Sequence, residues 1–362
     1  MLSQKELERY DRHLKLKEVG LEGQLKLKQA KVLVVGAGGL GCPILQYLTA
    51  AGVGTIGIVE DDTVDFSNLQ RQILYGVDDV GKPKIEVAIN RLKKQNPFVS
   101  FVAYSQRLTN NNVLSIFELY DIVVDGTDNF STRYLINDAC VLLNKPLVYG
   151  AIHKFEGQIA VFNLKGGATY RCLFPKPPTQ EQLPNCSEVG VLGVLPGVVG
   201  TMQATEVLKI IIGLGTVLNS KLQIINLLNN TNYTINVAKD ENQIAKVLKN
   251  GLLNDYDFFC EIKPSKEVLS ISVLEAKKLL EEKENIVFLD VRESWEQPQI
   301  LELNTLQIPV EDLEDSIDLI PKDKKVIVFC QTGGRSRLAI EVLKKEGAFT
   351  NLYNLEGGIL AW

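Results

Sequence analysis

Two short loops in this sequence carry residue types that do chemistry at the end of a strand. Gly36-Ala37-Gly38-Gly39-Leu40-Gly41 lies between an apolar run at residues 31–35 and a stretch where Leu40, Ile44, Leu45 and Leu48 share one helical face. Glycines there let the chain turn tightly and bring backbone amides up to a phosphate at a helix N-terminus. Glu60 closes the next apolar run, where a carboxylate accepts hydrogen bonds from ribose hydroxyls. The second loop is Phe329-Cys330-Gln331-Thr332-Gly333-Gly334-Arg335-Ser336, again between an apolar strand and a helix. A cysteine so placed faces backbone amides and a helix N-terminus, which stabilise a thiolate or persulfide.

The glycine loop and Glu60 by themselves favour an NAD(P)-linked oxidoreductase over an enzyme of ATP. The polar run at residues 61–72, which includes Asn68, Arg71 and Gln72, and then Gly81-Lys82-Pro83-Lys84, favour ATP. Cations must neutralise a triphosphate while pyrophosphate leaves, whereas hydride transfer has no use for them. Asp125-Gly126-Thr127-Asp128-Asn129 ends a buried-looking strand, where ligands collect in open α/β sheets. A carboxylate there holds Mg²⁺ against phosphate oxygens, and both Asp125 and Asp128 are available.

The elements that must position these loops are legible in the hydrophobic periodicity. The first 30 residues read as helix. Strands follow at 31–35, 55–60, 100–104 and 121–125, with helices at 84–92 and 113–120 between them. That alternation predicts a Rossmann-like, doubly wound, mostly parallel sheet. Strands at 147–151 and 158–163 and a helix at 200–213 complete a first domain at 1–250. Residues 251–267 read as a linker. Ser272 and Glu275 form a capping box that opens a second, smaller α/β domain at 268–362. Its strands lie at 286–290 and 325–329, with a helix at 337–345.

Composition excludes several classes. The chain has 362 residues, a 45% hydrophobic and 23% charged content and a net charge of −5, which gives no basic surface for nucleic acid. Six cysteines spread over this length do not form a secreted disulfide framework. The charged N-terminus has no signal-peptide core, and residues 189–214 are too interrupted by proline and charge for a membrane span. The cytoplasm is the expected compartment, with reduced thiols.

Taken in order, these four motifs, Gly36 to Gly41, Asp62 to Gln72, Gly81 to Lys84 and Gly126 to Asn129, resemble the ubiquitin-activating-enzyme-like adenylyltransferases. The molybdopterin-synthase and thiamine sulfur-carrier types are the most similar, and the likeness spans about residues 7–227. It implies a homodimer that adenylates the C-terminal glycine of a ubiquitin-like (β-grasp) sulfur carrier. On its motif positions, Gly36, Gly38, Gly39 and Gly41 would cradle phosphate and Glu60 the ribose. Asn68, Arg71, Gln72 and Lys84 would contact the triphosphate, and Asp128 the Mg²⁺. Arg12, in Arg9-Tyr10-Asp11-Arg12, would reach the nucleotide of the other subunit. Cys186 would sit in a segment crossing the active site and could form a thioester or acyl disulfide with the carrier.

Many members of that family hold a structural zinc between two C-x-x-C pairs. Here the matching positions are Thr169, Cys172, Asp257 and Cys260, a poor tetrahedral set, so no zinc is expected. The cysteine loop, residues 288–293 and residues 355–362 resemble a rhodanese, which implies a Cys330 persulfide loaded by a donor such as a cysteine desulfurase. Residues 298–306 are shorter than in rhodaneses and lack their Gly-His-Ile stretch. The rival readings are an oxidoreductase with an accessory rhodanese domain and a non-catalytic carrier-docking scaffold. The pathway served stays open among molybdenum cofactor, thiamine and tRNA thiolation.

Overall fold

The computed structural model describes residues 1–177, 190–254, 256, 268–282, 285–300, 303, 305–313, 316–347 and 349–362. The chain divides into two compact units, Met1–Glu261 and Ile262–Trp362. In the first unit, helices α1 (Gln4–Arg9), α2 (Asp11–Leu14) and α3 (Gly20–Gln29) replace the single N-terminal helix predicted from periodicity. Ser3 and Glu6 cap α1 reciprocally, and the chain breaks at Tyr10 and again before Gly20.

The sheet that follows has eight strands in the order β3-β2-β1-β4-β5-β6-β7-β8. They are β1 (Lys31–Val35), β2 (Thr55–Val59), β3 (Ser100–Tyr104), β4 (Ile122–Asp125), β5 (Leu147–His153), β6 (Glu156–Phe162), β7 (Lys221–Asn226) and β8 (Thr231–Asn236). The first five pair in parallel, and β6, β7 and β8 extend them antiparallel. Helices α4 (Gly41–Ala51), α5 (Lys84–Gln95), α6 (Val113–Phe117) and α7 (Phe130–Leu142) supply the crossovers.

Strand β1 shows why both faces need cover. Val32 and Val34 enter one hydrophobic core with Ile44, Leu45 and Leu48 of α4. Leu33 and Val35 enter another with Phe117 of α6 and Tyr134 of α7. A strand buried on both faces reads as a continuous apolar run, and each such side chain contributes about 1.5–3 kcal/mol.

After α8 (Tyr170–Leu173), helix α9 runs Val194–Ile212, beginning well before the residue 200 read from sequence. Pro196 lies in its first turn, where no intrahelical partner for its amide is needed, so it does not stop the helix. By length and composition α9 could cross a membrane, which corrects the reading of that stretch as too interrupted. Here it packs Leu195, Val199 and Val207 into the first core. After α10 (Glu241–Asn250), Leu252 and Leu253 pack on the second core and Tyr256 donates to Asp138 at 2.7 Å. Those residues, read from sequence as linker, belong to the first unit.

The second unit is a parallel sheet ordered β11-β10-β12-β13-β9. Its strands are β9 (Ser270–Ile271), β10 (Ile286–Asp290), β11 (Thr305–Gln307), β12 (Lys325–Phe329) and β13 (Leu352–Leu355). Helix α11 (Val273–Glu281) starts at the predicted Ser272–Glu275 box, with the Ser272 hydroxyl accepting from the Glu275 amide at 3.2 Å. Helix α12 (Gly334–Gly347) begins three residues earlier than expected, which puts Arg335 and Ser336 in its first turn.

Candidate active sites

Strands β1, β2 and β4 send their carboxyl ends to one edge, where the connections on either side of β1 diverge. This is the switch point at which open α/β sheets bind ligands. The glycine loop leaves β1 there. Gly36 has φ +92°, and a Cβ on it would meet the Gly126 carbonyl at 2.8 Å. A Cβ on Gly41 would stand 2.1 Å from the Gly36 carbonyl, so the loop can close onto α4 only as glycine. Beside Gly38 and Gly39 lie Gln72 and the stem of Arg71. Gln72 is 5% exposed, and its buried Oε1 has no hydrogen-bond partner. A cradle that Cβ atoms would fill, with the Gln72 amide nitrogen beside it, fits a nucleotide phosphate.

Glu60 is half-buried and already orders the loop, its Oε2 accepting from the Ala37 amide at 2.8 Å. Its Oε1 accepts from Asp61 and Asp62 at 3.1 and 3.0 Å. Tyr75 donates to the Ala37 carbonyl at 2.8 Å, and burial pushes its phenol up. Cys42 donates to the same carbonyl at 3.4 Å, and burial pushes its thiol up to about 12, as suits a structural thiol. Cys140 is likewise buried and pushed up.

Asn68 serves the turn before Arg71, its Oδ1 accepting from the Asp65 amide at 3.3 Å, and Arg71 donates to the Ser67 carbonyl at 3.2 Å. Lys84 is 4% exposed and opens α5, at the positive end of the helix dipole. Asp62, which sequence reasoning passed over, offsets that charge at 2.5 Å. A buried cation at a helix N-terminus opposes local electrostatics, so a ligand anion would relieve it.

At the end of β4 the two carboxylates separate in role. Asp125 is fully buried; Arg133 of α7 reaches its Oδ2 at 3.2 Å, and the Thr127 amide and hydroxyl donate to its Oδ1 at 2.9 and 2.6 Å. Burial pushes the Asp125 carboxyl up, against the pull of Arg133 and Thr127. Asp128 is exposed and has no polar partner among the described residues. It is thus the carboxylate free to take a hard cation, and one carboxylate plus phosphate oxygens suits Mg²⁺. Arg133 was missed from sequence, although its place in the first turn after Asn129, the N-cap of α7, was a usable signal.

Arg12 is exposed on α2 and makes no hydrogen bond or ion pair among the described residues. Cys186 and Cys260 lie outside the described residues, as does Asp257. Cys172 accepts from the amides of Thr169 and Asp240, both at 3.3 Å.

The second loop follows β12. Cys330 is 1% exposed; its Sγ accepts from the Gly333 amide at 3.1 Å, with the Ser336 hydroxyl at 3.5 Å. A Cβ on Gly358 would stand 2.5 Å from the Cys330 carbonyl, to which Ile359 donates at 2.8 Å. Residues 355–362 therefore wrap the loop backbone. Arg335 pairs with Glu296 through two bonds at 2.6 and 2.5 Å, both side chains largely buried. Burial opposes ionisation of Glu296, but Arg335 holds its carboxyl below the ordinary value. Arg292 is buried, chelates Asp290 and donates to the Pro298 carbonyl and to Gln331.

Comparison with known proteins finds a match for each unit. The ThiF family model matches residues 10–246, and the rhodanese-like domain model matches residues 272–362. The probable adenylyltransferase/sulfurtransferase MoeZ of Mycobacterium tuberculosis is 40% identical over 373 residues, covering 100% of this chain and 94% of the relative. The adenylyltransferase and sulfurtransferase MOCS3 of Culex quinquefasciatus is 40% identical over 386 residues, covering 100% of this chain and 88% of its own. The sulfur carrier protein adenylyltransferase of Thermus thermophilus is 58% identical over 218 residues, 59% of this chain and 80% of that protein. Among solved structures, MccB of E. coli superposes with a TM-score of 0.58 at 24% identity, over 66% of this chain and 73% of that one. That last likeness is one of fold. On the match over residues 10–246 and the identity along the whole chain, this protein belongs to the ThiF family, with a rhodanese-like domain behind the family's own.

Proposed function

We propose that this chain uses ATP to adenylate the C-terminal glycine of a small ubiquitin-like sulfur carrier, then transfers sulfur to the activated carboxyl. The observation that carries it is one chain holding both a glycine cradle flanked by Arg71 and Gln72, with Lys84 buried at the start of α5, and an enclosed, amide-facing Cys330. The 40% identity to an adenylyltransferase/sulfurtransferase runs through both.

In the first unit the amides of residues 36–41 bind phosphate and Glu60 turns to the ribose. Arg71 and Lys84 neutralise the triphosphate, with Lys84 exchanging Asp62 for phosphate, and Asn68 and Gln72 add hydrogen bonds. A carboxylate oxygen of the carrier tail attacks the α-phosphorus, the bond to the β-phosphate breaks, and pyrophosphate leaves. Positioning and charge neutralisation supply most of the acceleration. Asp128 would hold Mg²⁺, which when bound spreads the charge developing on the phosphates. We place the enzyme in the cytoplasm as a homodimer in which Arg12 serves the other subunit's nucleotide.

In the second unit Cys330 carries a persulfide received from a donor such as a cysteine desulfurase. Its outer sulfur attacks the acyl carbon and AMP leaves. A second thiol, with Cys186 the candidate, then cleaves the S–S bond, releases the thiocarboxylate and is itself oxidised to a disulfide. The test is carrier-dependent exchange of labelled pyrophosphate into ATP. No exchange with any β-grasp carrier, or full exchange in Arg71→Ala protein, would defeat the proposal.

A further inference from the structure

Asp128 has to present its carboxylate from a four-residue turn, Gly126 to Asn129, between β4 and α7. Among the described residues it makes no tie of its own, so its aim depends on its neighbours. The preceding residue is held at every polar atom. Its amide and hydroxyl donate to Asp125 Oδ1, and its carbonyl accepts from Arg133 Nη2 at 3.2 Å. Arg133 Nε closes the circuit on Asp125 Oδ2. Gln203 of α9, fully buried, fixes the Asp125 carbonyl at 2.7 Å, and the Gly126 amide donates to Val35 at 2.8 Å. Arg133 is gripped between the rings of Phe130 and Tyr149, 5.5 and 5.1 Å from their centroids.

The anchors on the far side are equally definite. Asn129 caps α7 through the Thr132 amide at 2.8 Å. The turn is thus fixed on both sides of Asp128 while Asp128 itself is left exposed. A buried ion pair is costly to desolvate and is weak evidence for stability alone, which raises the question of what else it does. Its Coulombic attraction is used here on the backbone of residue 127 and not only between the two side chains.

We propose that the buried Asp125–Arg133 pair is the positioning element that aims the Asp128 carboxylate at the phosphate-bound divalent cation. This rests on the reading of Asp128 as the cation's ligand. The effect of such supporting groups is to raise metal affinity by holding the ligand in its bound geometry, and losing one costs about 10–100-fold.

The test uses the full chain with Mn²⁺ as the paramagnetic probe and a non-hydrolysable ATP analogue, following bound Mn²⁺ by electron paramagnetic resonance. Hydrogen exchange of the Thr127 amide in the metal-free protein gives a second readout. Arg133→Lys keeps the charge but cannot reach both Asp125 and Thr127. It should speed exchange at Thr127 and weaken Mn²⁺ about tenfold, with binding of the analogue alone unchanged. If Arg133→Lys does not fold, Thr127→Ala, which removes only the hydroxyl tie, should weaken Mn²⁺ in the same direction. Asp128→Asn is the reference. If it weakens Mn²⁺ while Arg133→Lys, or Thr127→Ala in its place, binds as the wild type does, the positioning role is overturned. If Asp128→Asn itself leaves Mn²⁺ binding unchanged, the underlying reading of Asp128 falls instead.

Discussion

The glycine loop after β1 and the cysteine loop after β12 both hang from the carboxyl end of a central parallel strand, yet one lies open and the other shut. Around the first, Asp128 is exposed and Arg71 holds only a backbone carbonyl among the described residues. Around the second, Cys330 is 1% exposed, and the segment at residues 296–298 is tied to its loop by Arg335, Arg292 and Gln331. The difference follows from the anions each must hold. A triphosphate is large, arrives from water and leaves in two pieces, so its site must open to solvent. A persulfide is small and easily lost to stray thiols, so burial among amides protects it while their dipoles stabilise it.

Cys330→Ser should break the comparison most completely. Sulfur transfer to the carrier should fall by about a thousandfold or more, since the nucleophile is gone. Pyrophosphate exchange should stay at the wild-type rate, and a matching loss of exchange would show that the two sites do not act separately. Arg71→Ala is the reciprocal cut. Carrier-dependent exchange should drop by about 10²–10³, while loading of labelled sulfur onto Cys330 is unchanged.

Enclosure itself is sharpened by Glu296→Gln, which removes the charge that pairs with Arg335. Losing a charge-assisted hydrogen bond worth roughly 1.4 kcal/mol should open the loop about tenfold more often. Iodoacetamide labelling of Cys330, followed by peptide mass analysis, should accelerate accordingly, and an unchanged rate would mean that other contacts keep the loop shut. Because Arg335 holds the Glu296 carboxyl below its ordinary 4.5, its contribution to stability is present above that pH and lost as pH falls through the lower folded value. The melting difference between wild type and variant should shrink in that acid range. The smallest effect is expected for Ser272→Ala, which deletes the α11 cap. Stability of the second unit should fall by about 1 kcal/mol, read as a lower urea midpoint, with both activities intact.

Local patterns made much of this legible. The apolar runs of β1 and β4, the glycines that only a tight loop needs and the Ser272–Glu275 box each announce themselves within a few residues. Lys84 and Arg71 were legible as cations out of place in a hydride-transfer site. The partners were not. Asp62 lies in a polar run with nothing to distinguish it from Asp61, and only the folded backbone brings it to Lys84. The start of α9 was misplaced because Pro196 reads as a breaker when it falls in a first turn, and Tyr256 was read as linker because a single buried ring leaves no periodicity.

By itself, then, the sequence determined the strand–loop–helix order, the two chemical loops and the kind of anion each would hold. These depend on backbone conformation and residue chemistry within a dozen positions. The tertiary structure decided which charges stand free. Asp125 and Asp128, three residues apart and alike in type, are separated only when α7 brings Arg133 under one and leaves the other in solvent. Likewise Cys330 becomes enclosed only when residues 355–362 wrap its loop and Glu296 pairs with Arg335 near it in sequence. Pairing and burial are set by residues distant along the chain, and local sequence does not encode that distance.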